Sequence, residues 1–281
     1  MRKIFKLFSL FIMLISVLTL TSCKEEKLPE GIDFDATIKS VAHRGYSIEA
    51  PENTLPAYEL AKEKGFKYVE CDISFTKDNI PVLLHDSSIN RTSDGRGKIS
   101  DLTYEQAYQY DYGKWKHFFY TNTKLPTFEE FLDLCIKLEL HPYIELKSND
   151  DYSEEQIRSL VKLVEEKGLK GKVTWISFSA KFIEYVKNAD DSARLGYVVD
   201  DVTPEVIAKA LELKTENNSV FIDSKFKTLT PERIQMCKDN NIPLEVWTVN
   251  DEEAIINMDP YISGITSDKY VAGYVRYKNN K

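Results

Sequence analysis

From residue 36 to about residue 275 the chain repeats one pattern: a short apolar run, a polar loop, an amphipathic stretch, then another apolar run. Apolar runs at Ser40–His43, Tyr68–Ile73, Pro142–Leu146, Val173–Phe178, Leu195–Val199, Val220–Ile222, Leu244–Val249 and Gly264–Thr266 predict eight β-strands. The stretches between them carry helix-start signals. Thr127-Phe128-Glu129-Glu130 is a capping-box pattern, and Phe128, Phe131, Leu132, Cys135 and Leu138 follow at helical spacing. Ser153 with Gln156 repeats the signal ahead of Ile157, Leu160, Val161 and Val164, while Pro204 and Pro231 sit where a first helical turn tolerates proline. Asn53-Thr54 stands before a helix over 55–64, where a capping role is expected. Strands alternating with helices imply parallel pairing through right-handed crossovers, and eight such units with no linker between them predict an α/β fold closed into a (β/α)8 barrel. A ninth apolar run, Ile80–His85, follows the turn cluster Thr76-Lys77-Asp78-Asn79 and reads as the return arm of a hairpin, outside the eight. Residues 86–125 hold no long amphipathic helix and read as a small loop insertion after the second strand, lying over the barrel mouth.

The N-terminus has a different pattern. Arg2, Lys3 and Lys6 precede an almost unbroken apolar run from Leu7 to Leu20. That run is shorter than the ~20 residues a spanning helix needs and has the build of an export signal. It ends Leu20-Thr21-Ser22-Cys23, which is similar to a bacterial lipobox whose cysteine is acylated. The expected organisation is therefore a lipoprotein signal peptide over 1–22, lipidation at Cys23, a polar tether over 23–35 and a barrel domain over 36–281. An ordinary signal peptide with an incidental cysteine is the competing reading. The protein is thus expected to be exported and anchored by lipid to a membrane of the cell envelope, facing either the periplasm or the cell surface. Without its first 22 residues the chain keeps 259, the size of one barrel of this type, about 250.

A net charge of −8 argues against a nucleic-acid partner but not against a small phosphate-bearing substrate in a locally positive pocket. Cys71, Cys135 and Cys237 are too widely spaced for a disulfide framework and read as buried thiols, with one disulfide as the alternative.

Candidate chemistry gathers where the first strands end. The first ends in His43-Arg44-Gly45, the second carries Glu70-Cys71-Asp72, its hairpin partner ends in His85-Asp86, and the third carries Glu145-Leu146-Lys147. Residues i and i+2 of a strand share a face, so Glu70 and Asp72 point together, as do Glu145 and Lys147. Three carboxylates at one mouth would repel one another, and a divalent cation relieves the repulsion. Oxygen ligands favour a hard ion, Mg²⁺ or Ca²⁺. Two of the four histidines, His43 and His85, flank this group and suit proton transfer near neutral pH. His117 and His141 read as structural. Arg44 and Lys147 bring positive charge suited to phosphate oxygens, or to an ion pair with the acids before substrate arrives.

His43-Arg44-Gly45, Pro51-Glu52-Asn53-Thr54, Glu70-x-Asp72, Thr76-x-Asp78, Pro81-Val82 and His85-Asp86 together resemble the opening signature of glycerophosphodiester phosphodiesterases. Arg91-Thr92, Gly97, Asp101-Leu102-Thr103, Leu125-Pro126-Thr127-Phe128, Ile144-Glu145-Leu146-Lys147, Ser177-Phe178 and Trp247-Thr248-Val249-Asn250 extend the likeness from about residue 39 to 272. The resemblance implies a TIM barrel that hydrolyses glycerophosphodiesters to glycerol 3-phosphate and an alcohol. It implies that His43 and His85 are the acid–base pair, that Glu70, Asp72 and Glu145 hold one divalent cation, and that Arg44 and Lys147 contact phosphate. Trp247 corresponds to an aromatic that lines the pocket, with core packing as the other reading. A cyclic phosphate opened by water and direct attack by water are both open. The chain departs from the family at Asn79, at Arg91-Thr92-Ser93 and after Asp268, where the usual proline is missing and an Asp268 contact is in doubt. Two further readings stand beside this one. A related barrel phospholipase acting on intact lipids would need an apolar rim or insertion. A non-catalytic organophosphate-binding lipoprotein would have no use for a proton-transfer pair.

Overall fold

A computed structural model describes residues 38–148 and 151–269. The expected signal peptide, Cys23 and the expected tether lie outside the described residues. Among the described residues nine strands and eight helices follow in the order β1 (Lys39–Ala42), α1 (Leu55–Glu63), β2 (Tyr68–Phe75), β3 (Pro81–Leu83), α2 (Tyr104–Tyr108), α3 (Phe128–Leu138), β4 (His141–Leu146), α4 (Glu154–Glu166), β5 (Thr174–Ser177), α5 (Ala180–Ala189), β6 (Arg194–Val199), α6 (Pro204–Leu213), β7 (Ser219–Lys225), α7 (Pro231–Asp239), β8 (Leu244–Trp247), α8 (Glu252–Ile256) and β9 (Ile262–Ser267). Eight of the strands run parallel in the order β1-β9-β8-β7-β6-β5-β4-β2, and pairing of β1 with β2 closes them into a barrel. The short β3 pairs antiparallel with β2 and stays outside the ring, as the hairpin reading expects. Asn79 turns that hairpin with φ +61°, a left-handed conformation asparagine tolerates.

The helices start where the sequence signals them. Thr127 and Glu130 form a complete capping box on α3, Ser153 and Gln156 form one on α4, and Thr203 and Thr230 accept from the backbone NH three residues on in α6 and α7. Asn53-Thr54 departs from expectation. Neither side chain caps α1; the Thr54 hydroxyl donates to the Pro51 carbonyl at 2.6 Å, and Asn53 turns into the barrel mouth.

The main core lies between the outer face of the barrel and the helices, where Cys71, Ile144, Trp175, Ile222 and Val246 pack against residues such as Phe128, Phe131, Ile157 and Ile183. The three cysteines of the described body are buried free thiols. Inside the barrel, Val41, Tyr143, Ile176, Val198 and Phe221 form a second cluster. Below it an ionic plug closes the floor. Glu245 accepts from Arg194 at 2.6 Å and from Lys39 at 3.0 Å, and the Arg194 guanidinium lies 4.3 Å from the Phe221 ring. The interior is filled rather than open, so chemistry is confined to the C-terminal mouth. Residues 86–125 fold back over β3 and carry a third small core of Val82, Leu84, Ile89, Ile99, Tyr112 and Leu125. None of the helices among the described residues is long and apolar enough to cross a membrane.

Candidate active site

Strand register brings the acids together. Asp72 of β2 lies directly opposite Glu145 of β4, and Glu70 sits two residues below Asp72 on the same inward face. One carboxylate oxygen from each of Glu70, Asp72 and Glu145 falls within 4.8 Å of the others, and all three residues are buried. Burial first, then repulsion from Asp72 and Glu145, pushes Glu70 well above the ordinary carboxylate range. Glu145 rises to about 7 through burial and Asp72, with Lys147 opposing. Asp72 goes the other way: burial would raise it, but Arg44 and Lys147 hold it well below the usual range. Among the described residues, Glu70 Oε1 and Asp72 Oδ1 are buried oxygens with no hydrogen-bond partner. A trio of buried carboxyls in which Glu70 Oε1 is unpartnered and Asp72 Oδ1 has an ion pair but no hydrogen bond forms a donor set that suits a hard divalent cation.

Two cations border the trio. Lys147 Nζ lies 2.9 Å from Glu145 Oε1 and 3.3 Å from Asp72 Oδ1. Arg44 reaches Glu52 at 2.8 Å through Nη1 and lies 3.2 Å from Asp72 through Nε, while its backbone NH donates to Glu70 at 2.8 Å. That NH can point at Glu70 because Arg44 has φ +58°, a left-handed conformation costly for a side chain of its size. Gly45 follows at φ +80°, and a Cβ there would stand 2.7 Å from Ala57, so the third position of His-Arg-Gly admits only glycine. Asn53 is left-handed as well, at φ +56°. Its backbone NH donates to the Arg44 carbonyl, its amide donates to Asp72 at 2.8 Å, and its carbonyl oxygen accepts from the Tyr58 hydroxyl at 3.0 Å. Pro-Glu-Asn-Thr thus acts as the brace of the His-Arg-Gly turn.

Both histidines stand at the mouth with one ring nitrogen held. His43 Nδ1 lies 2.7 Å from Asp268 Oδ1, and His85 Nδ1 lies 2.7 Å from Asp86 Oδ1. A carboxylate accepts only, so in each ring Nδ1 carries the hydrogen and Nε2 is left for other work. Burial lowers the pKa of His85, with Asp72 opposing and Arg44 adding to the fall. The doubt over Asp268 is removed: it pairs with His43 without a following proline, accepts from Ser47 at 3.1 Å and from the Asn250 amide, and is held at about 2. Trp247 packs against the inner cluster, as the core-packing reading expects. It ends β8 on the inner wall, edge-on to Phe178 at 5.4 Å, with its NH donating to the Asp223 carbonyl at 3.2 Å. His141 and His117 stay outside the group; His141 opens β4 at the far end beside Thr174, and His117 is exposed on the insertion.

The residues that sequence reasoning left without a role are Glu52, Asp86 and Arg91. Arg91 donates to both oxygens of Glu52 at 2.7 and 2.9 Å and to both of Asp86 at 2.7 and 3.1 Å. An unbroken chain of contacts therefore runs from His85 through Asp86, Arg91, Glu52 and Arg44 to Asp72. The adjacency of Asp86 to His85 was the one local signal for it.

Residues 43–270 match the model of the Glycerophosphoryl diester phosphodiesterase family. A glycerophosphodiester phosphodiesterase of Bacillus subtilis is 30% identical over 228 residues, covering 76% of this chain and 78% of its own length. One from Caldanaerobacter subterraneus subsp. tengcongensis is 28% identical over 229 residues, covering 81% and 93%. Among solved structures, an Oleispira antarctica phosphodiesterase in complex with the product sn-glycerol-3-phosphate superposes with a TM-score of 0.74 at 24% identity, over 87% of this chain and 98% of that one.

Proposed function

This chain belongs to the glycerophosphoryl diester phosphodiesterase family, and from that premise we propose that it hydrolyses glycerophosphodiesters to glycerol 3-phosphate and an alcohol. The observation that carries the proposal is the buried trio Glu70, Asp72 and Glu145, with Glu70 Oε1 unpartnered, beside two cations and two oriented imidazoles.

Glu70, Asp72 and Glu145 would hold one divalent cation, Mg²⁺ or Ca²⁺. When bound it supplies charge that offsets repulsion within the trio and stabilises negative charge building on the phosphoryl oxygens. Arg44 and Lys147 present donors at the same mouth and would bind the non-bridging oxygens of the diester. Each leans on Asp72, so a phosphate that draws them away exchanges one anionic partner for another. His43 and His85 carry the protons. With Nδ1 fixed by Asp268 or Asp86, each offers Nε2 to take a proton from the attacking hydroxyl or to give one to the departing alkoxide. Acid–base groups contribute about 10²–10⁴-fold, or ~3–5 kcal/mol of barrier.

Purified protein supplied with Mg²⁺ or Ca²⁺ should release glycerol 3-phosphate from glycerophosphocholine and leave intact phosphatidylcholine largely uncleaved. His43→Ala and His85→Ala should each lose at least about 100-fold in kcat while remaining folded. Binding without turnover would favour the non-catalytic reading, and faster cleavage of the intact lipid would favour the phospholipase. We also propose that Cys23 anchors the enzyme to a membrane, as the lipobox-like Leu20–Cys23 suggests. Incorporation of a labelled fatty acid in the producing cell, abolished by Cys23→Ser, tests this; equal labelling of the variant would refute it.

A further inference from the structure

The insertion bears a crest that stays exposed among the described residues. Phe118 and Phe119 form a short 3-10 turn and are 65% and 79% exposed. Their rings lie tilted against each other at 4.1 Å and against His117 at 4.4 and 4.8 Å, so the three rings form one cluster. Trp115, at 39% exposed, stands on the same loop, its NH donating to the Tyr112 carbonyl at 2.9 Å. From Gly113 to Phe128 the chain has three lysines, Lys114, Lys116 and Lys124, and no acidic residue, in a protein whose net charge is −8.

The crest adjoins the catalytic mouth. Lys116 donates to the Ser47 carbonyl at 2.6 Å, and the Ser47 hydroxyl donates to Asp268, the carboxylate that holds His43. The neighbouring Ile48, 48% exposed, anchors its NH on the Asp268 carbonyl at 3.2 Å. The apolar rim a lipid-facing barrel needs is therefore built from loop aromatics, with no amphipathic helix.

We propose that residues 114–119, with Ile48, form an interfacial docking surface that seats the active-site mouth on an anionic lipid bilayer. Trp and Phe beside lysine is the chemistry of the membrane interface: the rings enter the boundary between headgroups and acyl chains while the Lys114 ammonium meets lipid phosphate, Lys116 and Lys124 being held by backbone carbonyls of the fold. A protein partner is the poorer fit, since a stable protein interface engages roughly 20–30 residues a side and the crest offers a handful. Docking is independent of the substrate assignment; it goes beyond the hydrolase reading and stands or falls by a separate measurement.

Trp115 reports on its own loop. The full-length chain is mixed with vesicles of phosphatidylcholine and phosphatidylglycerol carrying brominated acyl chains, and the Trp115 contribution is isolated by subtracting Trp115→Phe. Bromolipid should quench that contribution at least about twofold, whereas Phe118→Ser with Phe119→Ser should abolish the quenching. Raising salt, or omitting phosphatidylglycerol, should weaken it, because exposed charges are screened within about 10 Å at 0.1 M. The double variant should hydrolyse soluble glycerophosphocholine at the wild-type rate, which separates failure of docking from failure of catalysis. Vesicle-bound protein whose Trp115 emission is insensitive to bromolipid would overturn the proposal. So would quenching that survives the double variant, or a Trp115 shift that follows protein concentration without vesicles and marks self-association.

Discussion

Arg91 directs four hydrogen bonds at two carboxylates that serve different parts of the mouth: Asp86, which orients His85, and Glu52, which holds Arg44. Its planar fork satisfies both at once, and a lysine ammonium has no equivalent geometry. Arg91→Lys should therefore lower kcat about tenfold and Arg91→Ala about a hundredfold, ~1.4 and ~2.7 kcal/mol of barrier, with KM changing less; steady-state kinetics on a soluble diester checks this. Unchanged kcat in both variants would remove Arg91 from the positioning of His85. At this scale the sequence showed that Glu70, Asp72, Glu145 and Lys147 gather at one mouth, because strand alternation decides which of them share a face. It did not show what holds them. The Asp268–His43 pair spans 225 positions, and the Arg91–Glu52 pair spans 39. Contacts of that separation depend on barrel closure and loop packing, which periodicity does not encode.

Helix starts and strand cores were legible to within a few residues, since capping and periodicity are local. β7 is the instructive exception. The apolar run stops at Ile222, yet the strand continues through Asp223, Ser224 and Lys225, where the inward positions meet the polar mouth. β8 errs the other way and stops at Trp247, because Thr248 and Val249 already belong to the rim. At α1 the local pattern misled: an asparagine and a threonine before a helix cap it in most settings, but here Asn53 is needed by Asp72. Where the cap is real it is measurable. Thr127→Ala breaks the capping box on α3, whose Phe128, Phe131 and Leu132 are fully buried, and should cost about 1 kcal/mol. Thermal melting should show a fall of roughly 2–4 °C in Tm with activity at permissive temperature unchanged. An unaltered Tm would show that packing of the buried face alone sets the stability of α3.

Across the whole molecule, three carboxylates confined below a charged rim weaken the fold when nothing neutralises them. Mg²⁺ or Ca²⁺ at about a hundred times its Kd should add ~2.7 kcal/mol of stability, raising Tm by roughly 5–10 °C, and EDTA should reverse the gain along with the activity. Asp72→Asn should blunt the shift. A melting curve indifferent to metal and chelator, with full activity after chelation, would rule out a cation at this site. The separate core beneath residues 86–125 has a consequence of its own. His85, Asp86 and Arg91 ride on that lobe, whereas Glu70 and Glu145 ride on the ring. Such a lobe can open alone, on a faster clock than the ring it covers. Catalytic competence is then governed by the weaker of two cooperative units, and heat should silence the enzyme while its far-ultraviolet dichroism still reports an intact barrel.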